Sequence, residues 1–225
     1  MQVADMRRAF GMLFMHNAHE RHPEGMLEII GASFVANEDS IFGNPNKDYM
    51  IAEKDWYDSQ ILNTNKLQDL YGKVPAIWKH HAANTRGEIN SNYGWCVYSE
   101  ENGSQYDCVL RELKNNPMSR RGTMIYTRPS MHSDHDRAGI NDFICTNAVT
   151  YYVRDNTMYT VVQMRSNDAV FGYMNDLYWA RAVAQRLACD LDENLEVADI
   201  LWQAQNIHVY PRHLHHVEAW CKENM

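Results

Sequence analysis

Cys145 lies in the run DFICTN, and its chemistry depends on what surrounds it. A thiol with cationic neighbours is favoured as thiolate and becomes a nucleophile. A thiol among apolar neighbours packs as a small hydrophobe, the commoner fate of a strand cysteine. Three arginines are candidates for the cationic role: Arg120 and Arg121 in SRRG, and Arg165 ahead of Ser166. Guanidinium groups grip phosphate bidentately, so the Arg120-Arg121 pair reads equally as an anion clamp and as a solvated turn. The stretch QMRSNDAVFGYMND at residues 163–176 combines a basic and hydroxylic cluster, an acid at Asp168, a turn at Gly172 and a second acid at Asp176. It offers an anion site and a carboxylate able to read a polar edge. The expectation is that it holds a nucleotide while Cys145 acts on the base.

Other candidates carry plainer alternatives. Glu53 shares a helical pattern with Trp56, where an exposed acid is the ordinary reading. His208 and Tyr210 stand two apart in an extended run and so share one face, either holding a hydroxyl or packing in a core. His16, His19 and His22 read as a solvated helix exit. His213, His215 and His216 match no closed zinc spacing and read as helix surface, so no metal is expected. There is no GxxxxGK[ST], no GxGxxG after a strand and no GxSxG, which sets aside common triphosphate, dinucleotide and serine-hydrolase readings.

Composition narrows the classes further. The 225 residues suit one domain, 1–225, with a full core. Twenty-one basic against twenty-nine acidic side chains give a net charge of −8, which argues against nucleic-acid binding and anionic membranes. Five cysteines without close pairing indicate free thiols in a reducing compartment. No signal peptide is evident, and no run approaches the roughly 18 apolar residues of a membrane span. A cytoplasmic protein is expected.

These side chains must be positioned by the surrounding elements. Apolar spacing predicts helices at residues 3–15, 49–57, 75–81, 106–114 and 176–191, the last with Leu177, Ala180, Val183, Ala184 and Leu187 inward. Strands are predicted at 26–35 with a bulge or close approach at Gly31, and at 122–128, 143–153, 159–165 and 200–210. Arg154-Asp155-Asn156-Thr157 reads as a hairpin turn, residues 37–48 and 129–139 as loops, and GEINSNYGWCVY as a loop entering an aromatic strand. Pro211 is placed to start a final helix. Helices between strands, with at least one hairpin, indicate an α+β fold.

The order Glu53 with Trp56, Trp78, Tyr93-Gly94, Ser119-Arg120-Arg121, Cys145, Arg165-Ser166-x-Asp168, Gly172, Asp176 and His208-x-Tyr210 resembles the thymidylate synthase superfamily. EIIGASFVANE, GEINSNYGW, SRRGTMIYTRPSM, DFICTN, MRSNDAVFG and HVYPRH are most similar to its phage deoxycytidylate 5-hydroxymethylase branch, over residues 27–220.

The resemblance implies a mixed β-sheet flanked by helices, packed sheet-to-sheet in a homodimer. It implies dCMP as substrate and 5,10-methylenetetrahydrofolate as cosubstrate. Cys145 would add to C6 of the pyrimidine, Glu53 would manage protons through water, and Tyr93 would help order it. Arg165 and Ser166 would hold the 5′-phosphate, with Arg120 and Arg121 reaching it from the partner subunit. His208 and Tyr210 would take the 3′-hydroxyl, while Asp168, Trp78 and Gly172 would serve the folate.

Two departures from thymidylate synthase stand out: Ile144-Cys145-Thr146 replaces Pro-Cys-His, and Asp176 replaces the base-reading Asn. Cytosine shows an amino donor and an N3 acceptor, which a carboxyl group can match. Alternatives are a dCMP methyltransferase that keeps a hydride step, a dUMP hydroxymethylase, or a silent nucleotide-binding member of a nucleotide-synthesis complex. If the chain is phage-encoded, the compartment is the host cytoplasm.

Overall fold

The sequence is described here by a computed structural model covering residues 1–82, 86–90 and 92–225, with no side-chain description at 138. In chain order the elements are α1 (Val3–Met15), α2 (Ala18–Arg21), β1 (Leu27–Ala36), α3 (Lys47–Asp58), α4 (Asn65–Tyr71), α5 (Ala76–His81), α6 (Tyr93–Tyr98) and α7 (Gln105–Asn115). Then follow β2 (Thr123–Ile125), α8 (Met131–Asp134), β3 (Thr146–Arg154), β4 (Thr157–Met164), β5 (Asn167–Asp168), α9 (Gly172–Leu191), β6 (Glu196–Val197), β7 (Ile200–Val209) and α10 (Leu214–Asn224). The strands form one mixed sheet in the order β1-β7-β4-β3-β2, with β5 added to β7 and β6 to β4. Helices cover one face, and the α+β expectation holds.

Local chemistry explains most of the elements. The β3–β4 hairpin closes on Asp155 and Asn156, both at positive φ (47° and 59°), the paired left-handed conformation of a tight turn suited to twisted strands. Helix α9 buries Leu177, Ala180, Val183, Ala184 and Leu187 as their spacing predicts.

Gly31 takes a left-handed φ of +74°, but the bulge expected there does not form, since pairing lapses in both strands alike and no extra residue enters either. Ile30 pairs with Asn206 and Ala32 with Ala204, so Gly31 and Gln205 are skipped together. The register is preserved while the inward face changes phase in both strands, from Ala32, Phe34 and Ala36 to Leu27 in β1 and from Ile200, Trp202 and Ala204 to Ile207 and Val209 in β7. No close approach of backbone accompanies it, since a Cβ at Gly31 meets nothing within 4 Å.

Several expectations need correction. GEINSNYGWCVY ends in a helix, not a strand (Ser91 lies outside the described residues). Asn92 caps α6 by accepting from the Trp95 N–H at 2.8 Å, and that cap outweighs the β-favouring aromatics. A Cβ at Gly94 would sit 1.8 Å from the Tyr57 carbonyl oxygen, so α6 lies hard against α3. Residues 129–139 are not all loop, since they hold α8 and a 3₁₀ turn at Arg137–Gly139. The strand expected at 122–128 forms only at Thr123–Ile125. Cys145 and Phe143 precede β3 rather than lie within a strand. Helix α9 begins at Gly172, which puts Asp176 in its second turn and removes the helix-start reading of that acid. Pro211 opens a 3₁₀ turn, Pro211–His213, ahead of α10. Among the described residues, no helix is long and apolar enough to cross a membrane.

Candidate active site

The site is built on a break in the sheet. The interruption at Gly31 and Gln205 continues into neighbouring strands. β4 ends at Met164 opposite Ala204, and β5 resumes at Asn167 opposite Ile207, so Arg165 and Ser166 form the gap between them. The β3–β4 register slips between Thr146 and Ala148. Cys145 sits at that end of β3, and its carbonyl accepts the Arg165 N–H at 2.7 Å. Broken pairing turns side chains out of the pleat toward a common point, where a cavity of about 850 Å³ opens. Cys145, Glu53, Tyr93, Asp176, Arg165, Ser166, Asp168, Trp78, Gly172, His208 and Tyr210 all line it.

The nucleophile candidate is half-buried. Its Sγ lies 3.9 Å from Nη2 of Arg165, whose guanidinium also donates to the carbonyls of Phe143 (3.1 Å) and Ile144 (3.3 Å) and stacks over the Phe143 ring. Arg165 therefore holds the loop that carries the thiol. Burial pushes the Cys145 pKa up to about 12, the charge of Asp176 adds to the rise, and Arg165 opposes it. In this state Cys145 is a thiol. The Asp176 contribution exists only while that carboxyl is ionised, so a neutral Asp176 brings the thiolate closer.

Two carboxyl groups face the cavity. Glu53, on α3, is buried, and its Oε1 accepts from the Tyr49 phenol one turn earlier and from the Trp78 indole N–H at 2.9 Å. The same indole N–H lies 2.9 Å from the Tyr49 oxygen. Oε2 has no partner among the described residues. Burial raises the Glu53 pKa to about 7, against the lowering effect of the Tyr49 and Trp78 hydrogen bonds.

Asp176, on α9, takes its support from the sheet. Its Oδ2 accepts from Nδ2 of Asn167 at 2.8 Å, and Oδ1 of Asn167 accepts from the Trp202 indole at 3.2 Å. Burial and then the like charge of Glu53 hold its pKa well above the ordinary carboxylate range. Tyr93 is buried between Tyr57 (rings 5.1 Å apart) and Tyr126 (5.2 Å). Its phenol is pushed well up by burial first and by the charges of Asp176 and Cys145 next.

At another wall, Asn206 donates through Nδ2 to Glu28, so its Oδ1 must accept from Nδ1–H of His208, at 3.0 Å. That fixes the tautomer and leaves Nε2 of His208 as an acceptor, buried and without a hydrogen-bond partner among the described residues. Burial lowers the His208 pKa, so the ring is neutral. Tyr210 packs edge-on at 4.6 Å. Asp168 accepts from the backbone N–H of Val170 (3.0 Å) and Phe171 (3.3 Å), shaping the turn into α9. Gly172 packs there, and a Cβ would meet the Asp168 Cβ at 3.2 Å.

Arg120 and Arg121 are the predicted site residues that do not join this cavity. Both are exposed, and Arg121 pairs with Glu112 at 2.8 Å. His213, expected on the helix surface, instead lines the cavity, with Nδ1 buried and 3.9 Å from Oδ2 of Asp168. The 3₁₀ turn after Tyr210 carries it inward. Sequence reasoning also missed Tyr49, Asn167 and Trp202. Tyr49 left a signal in its i,i+4 spacing to Glu53; the other two meet only through the tertiary fold. Among the described residues, no group of three or more His, Cys, Asp or Glu side chains could hold a metal ion.

Residues 46–225 match the family model described as thymidylate synthase. The chain is 48% identical over 201 residues to the deoxycytidylate 5-hydroxymethyltransferase of Enterobacteria phage T4, covering 87% of this chain and 80% of that protein. It is 48% identical over 199 residues to the protein of the same description from Enterobacteria phage T2, covering 86% and 79%. A thymidylate synthase of Fusobacterium nucleatum is 30% identical over 156 residues, covering 68% of this chain and 53% of its own length. In three dimensions the fold is that of thermostable thymidylate synthase A from Bacillus subtilis, with a TM-score of 0.67 at 22% identity, covering 88% of this chain and 71% of that one.

Proposed function

Since the chain belongs to the thymidylate synthase family, we propose that it transfers a hydroxymethyl group to C5 of dCMP, using 5,10-methylenetetrahydrofolate and water and releasing tetrahydrofolate. The observation that carries this reading within the family is Asp176, a carboxyl group facing the cavity where an amide would suit uracil. The phage relatives that share 48% of their aligned residues support it.

The cavity suits both reactants. Arg165 and Ser166 lie at the sheet break, where a 5′-phosphate would displace the guanidinium from the Phe143 and Ile144 carbonyls. The unpartnered Nε2 of His208 accepts the 3′-hydroxyl, with Tyr210 beside it. Trp78, Ile77, Val74 and Phe171 give an apolar wall for the pterin, with Asp168 as its polar anchor. Bound there, the folate supplies a one-carbon unit at the oxidation level of formaldehyde.

Cys145 adds through Sγ to C6, and the electron pair of the C5–C6 bond makes C5 the nucleophile. Once C5 has bonded to the carbon unit, loss of the C5 proton expels tetrahydrofolate with the carbon–nitrogen electron pair, and an exocyclic methylene remains. Water adds to that carbon, Cys145 is expelled, and the double bond re-forms. Glu53, with a pKa raised to about 7, is matched to moving these protons near neutrality. Its free Oε2 is the oxygen that exchanges them, and Tyr93 helps order the water.

We read residues 1–225 as one catalytic domain that acts in the host cytoplasm as a homodimer. The sheet face away from the helices leaves Ile30 (69%), Ile125 (56%) and Tyr159 (46%) exposed. In the homodimer we propose, that face packs on a second copy, and Arg120 and Arg121, just before β2, would reach the partner's phosphate site.

The deciding experiment incubates the enzyme with dCMP or dUMP and the folate, then determines product mass and folate state. The expected result is 5-hydroxymethyl-dCMP and tetrahydrofolate. Dihydrofolate would assign a methyl product instead, and a preference for dUMP would overturn the base assignment.

A further inference from the structure

A neutral carboxyl group is an ambiguous reader of pyrimidines. It presents one donor, the O–H, and one acceptor, the C=O. Cytosine presents the N3 acceptor and the amino donor, while uracil presents the N3–H donor and the O4 acceptor. Moving the acid proton from one oxygen to the other converts a match for cytosine into a match for uracil. Burial holds the Asp176 pKa well above the ordinary carboxylate range and so favours this form, which admits cytosine where the amide suits uracil but needs a fixed proton to exclude uracil.

The choice lies behind it. The Trp202 indole can only donate, so the atom of Asn167 facing it must be the amide oxygen. The amide NH₂ is thereby turned toward Asp176, where it donates to Oδ2 at 2.8 Å. Both supporting residues are locked in place. Asn167 is 2% exposed on β5, hydrogen-bonded in register with Ile207, and Trp202 is fully buried against Tyr173. An oxygen that already receives an N–H is the poorer place for the acid proton, and since the Tyr93 hydroxyl that also hydrogen-bonds Asp176 can donate or accept while the Asn167 amide N–H can only donate, the proton is left on Oδ1.

We propose that Asn167, anchored by Trp202, is a specificity-determining positioning residue: its amide N–H on Oδ2 leaves Oδ1 as the donor of Asp176 and so makes that carboxyl group selective for cytosine. The proposal rests on the dCMP reading above and deepens it. The proposal sets Oδ1 opposite N3 and Oδ2 opposite the 4-position, so that Oδ1–H addresses N3 and Oδ2 keeps a lone pair for the amino group. Uracil would need the proton on Oδ2, against the amide N–H.

The test measures kcat/KM for dCMP and dUMP side by side, by product mass, in the parent enzyme and in Asn167→Leu. The Leu side chain is close in size but neither donates nor accepts. The dCMP:dUMP ratio is expected to fall by about tenfold to a hundredfold, with a gain for dUMP, the range set by one buried group left unpaired. Trp202→Phe, which frees the amide to flip, is expected to move the ratio the same way by less. If Asn167→Leu does not fold, Asn167→Ser decides by the same ratio, since a hydroxyl can serve as donor or acceptor. A merely structural role would lower both rates together, and an unchanged ratio overturns the proposal. A parent enzyme indifferent to the base overturns the dCMP reading along with it, whereas a selective parent with unmoved variants overturns the relay alone.

Discussion

The two buried carboxyl groups of the cavity are built from similar parts to opposite ends. Glu53 receives the Trp78 indole N–H directly, together with the Tyr49 phenol, and both converge on Oε1. Asp176 also has an indole behind it, but Trp202 reaches it only through the amide of Asn167. In the direct arrangement one oxygen is saturated and the other is left free to the cavity, so a proton can come and go. In the relayed arrangement the amide passes on an orientation, and the proton is assigned. The first suits proton transfer and the second suits recognition. Burial raises both pKa values, while the partner type decides what each acid is for.

The largest effect is expected at the thiol that shares their cavity. Cys145→Ser should reduce turnover by more than about 10⁴-fold, since covalent addition is lost, while dCMP still binds; measurable turnover would remove Cys145 from its role.

Next comes the proton carrier. Glu53→Gln should lower kcat by about 10²- to 10⁴-fold with the base preference intact. Its stability should respond in the opposite direction. The folded chain keeps a proton on Glu53 up to about pH 7, while the unfolded chain releases it from about 4.5, so stability is lost as pH rises through that window. The glutamine variant should therefore exceed the parent by up to about 3 kcal/mol at pH 8 and by nothing at pH 4, as urea unfolding at both pH values would read.

At the other carboxyl, Asp176→Asn should shift the dCMP:dUMP ratio toward dUMP by about tenfold to a hundredfold. If instead Asp176→Asn costs only rate and Glu53→Gln alters selectivity, the division of labour is wrong. The smallest effect belongs to Tyr49→Phe. The phenol lowers the Glu53 pKa, so its removal should raise the acid limb of the kcat profile by up to about one pH unit, a single hydrogen bond's worth.

The same comparison separates what the sequence discloses from what it hides. Tyr49 and Glu53 lie one helical turn apart, so their meeting is a matter of local geometry. Asn167 and Trp202 are 35 residues apart and come together only because β5 joins β7 in parallel. No periodicity announces such a contact. The hairpin at Asp155-Asn156 and the inward stripe of α9 were legible because backbone conformation or spacing carries them. Helix α6 was not, because its aromatic residues favour strands and only the Asn92 cap and the contact with α3 reveal the helix. The alignment of pairing breaks across neighbouring strands was just as invisible. Each break looks local, and only their common level makes a site.

Gly94 has a consequence for how this chain can vary. The Tyr57 carbonyl oxygen occupies the place of its missing Cβ, at 1.8 Å, and neither partner is a side chain that can swing aside. Position 94 therefore admits no other residue while α6 stays seated on α3. Tyr93, next in the chain, lines the cavity, and α3 carries Glu53. In a saturation library this site should be empty of survivors although it donates no atom to chemistry. A lineage drifting through sequence space meets a wall there, one carbon atom thick.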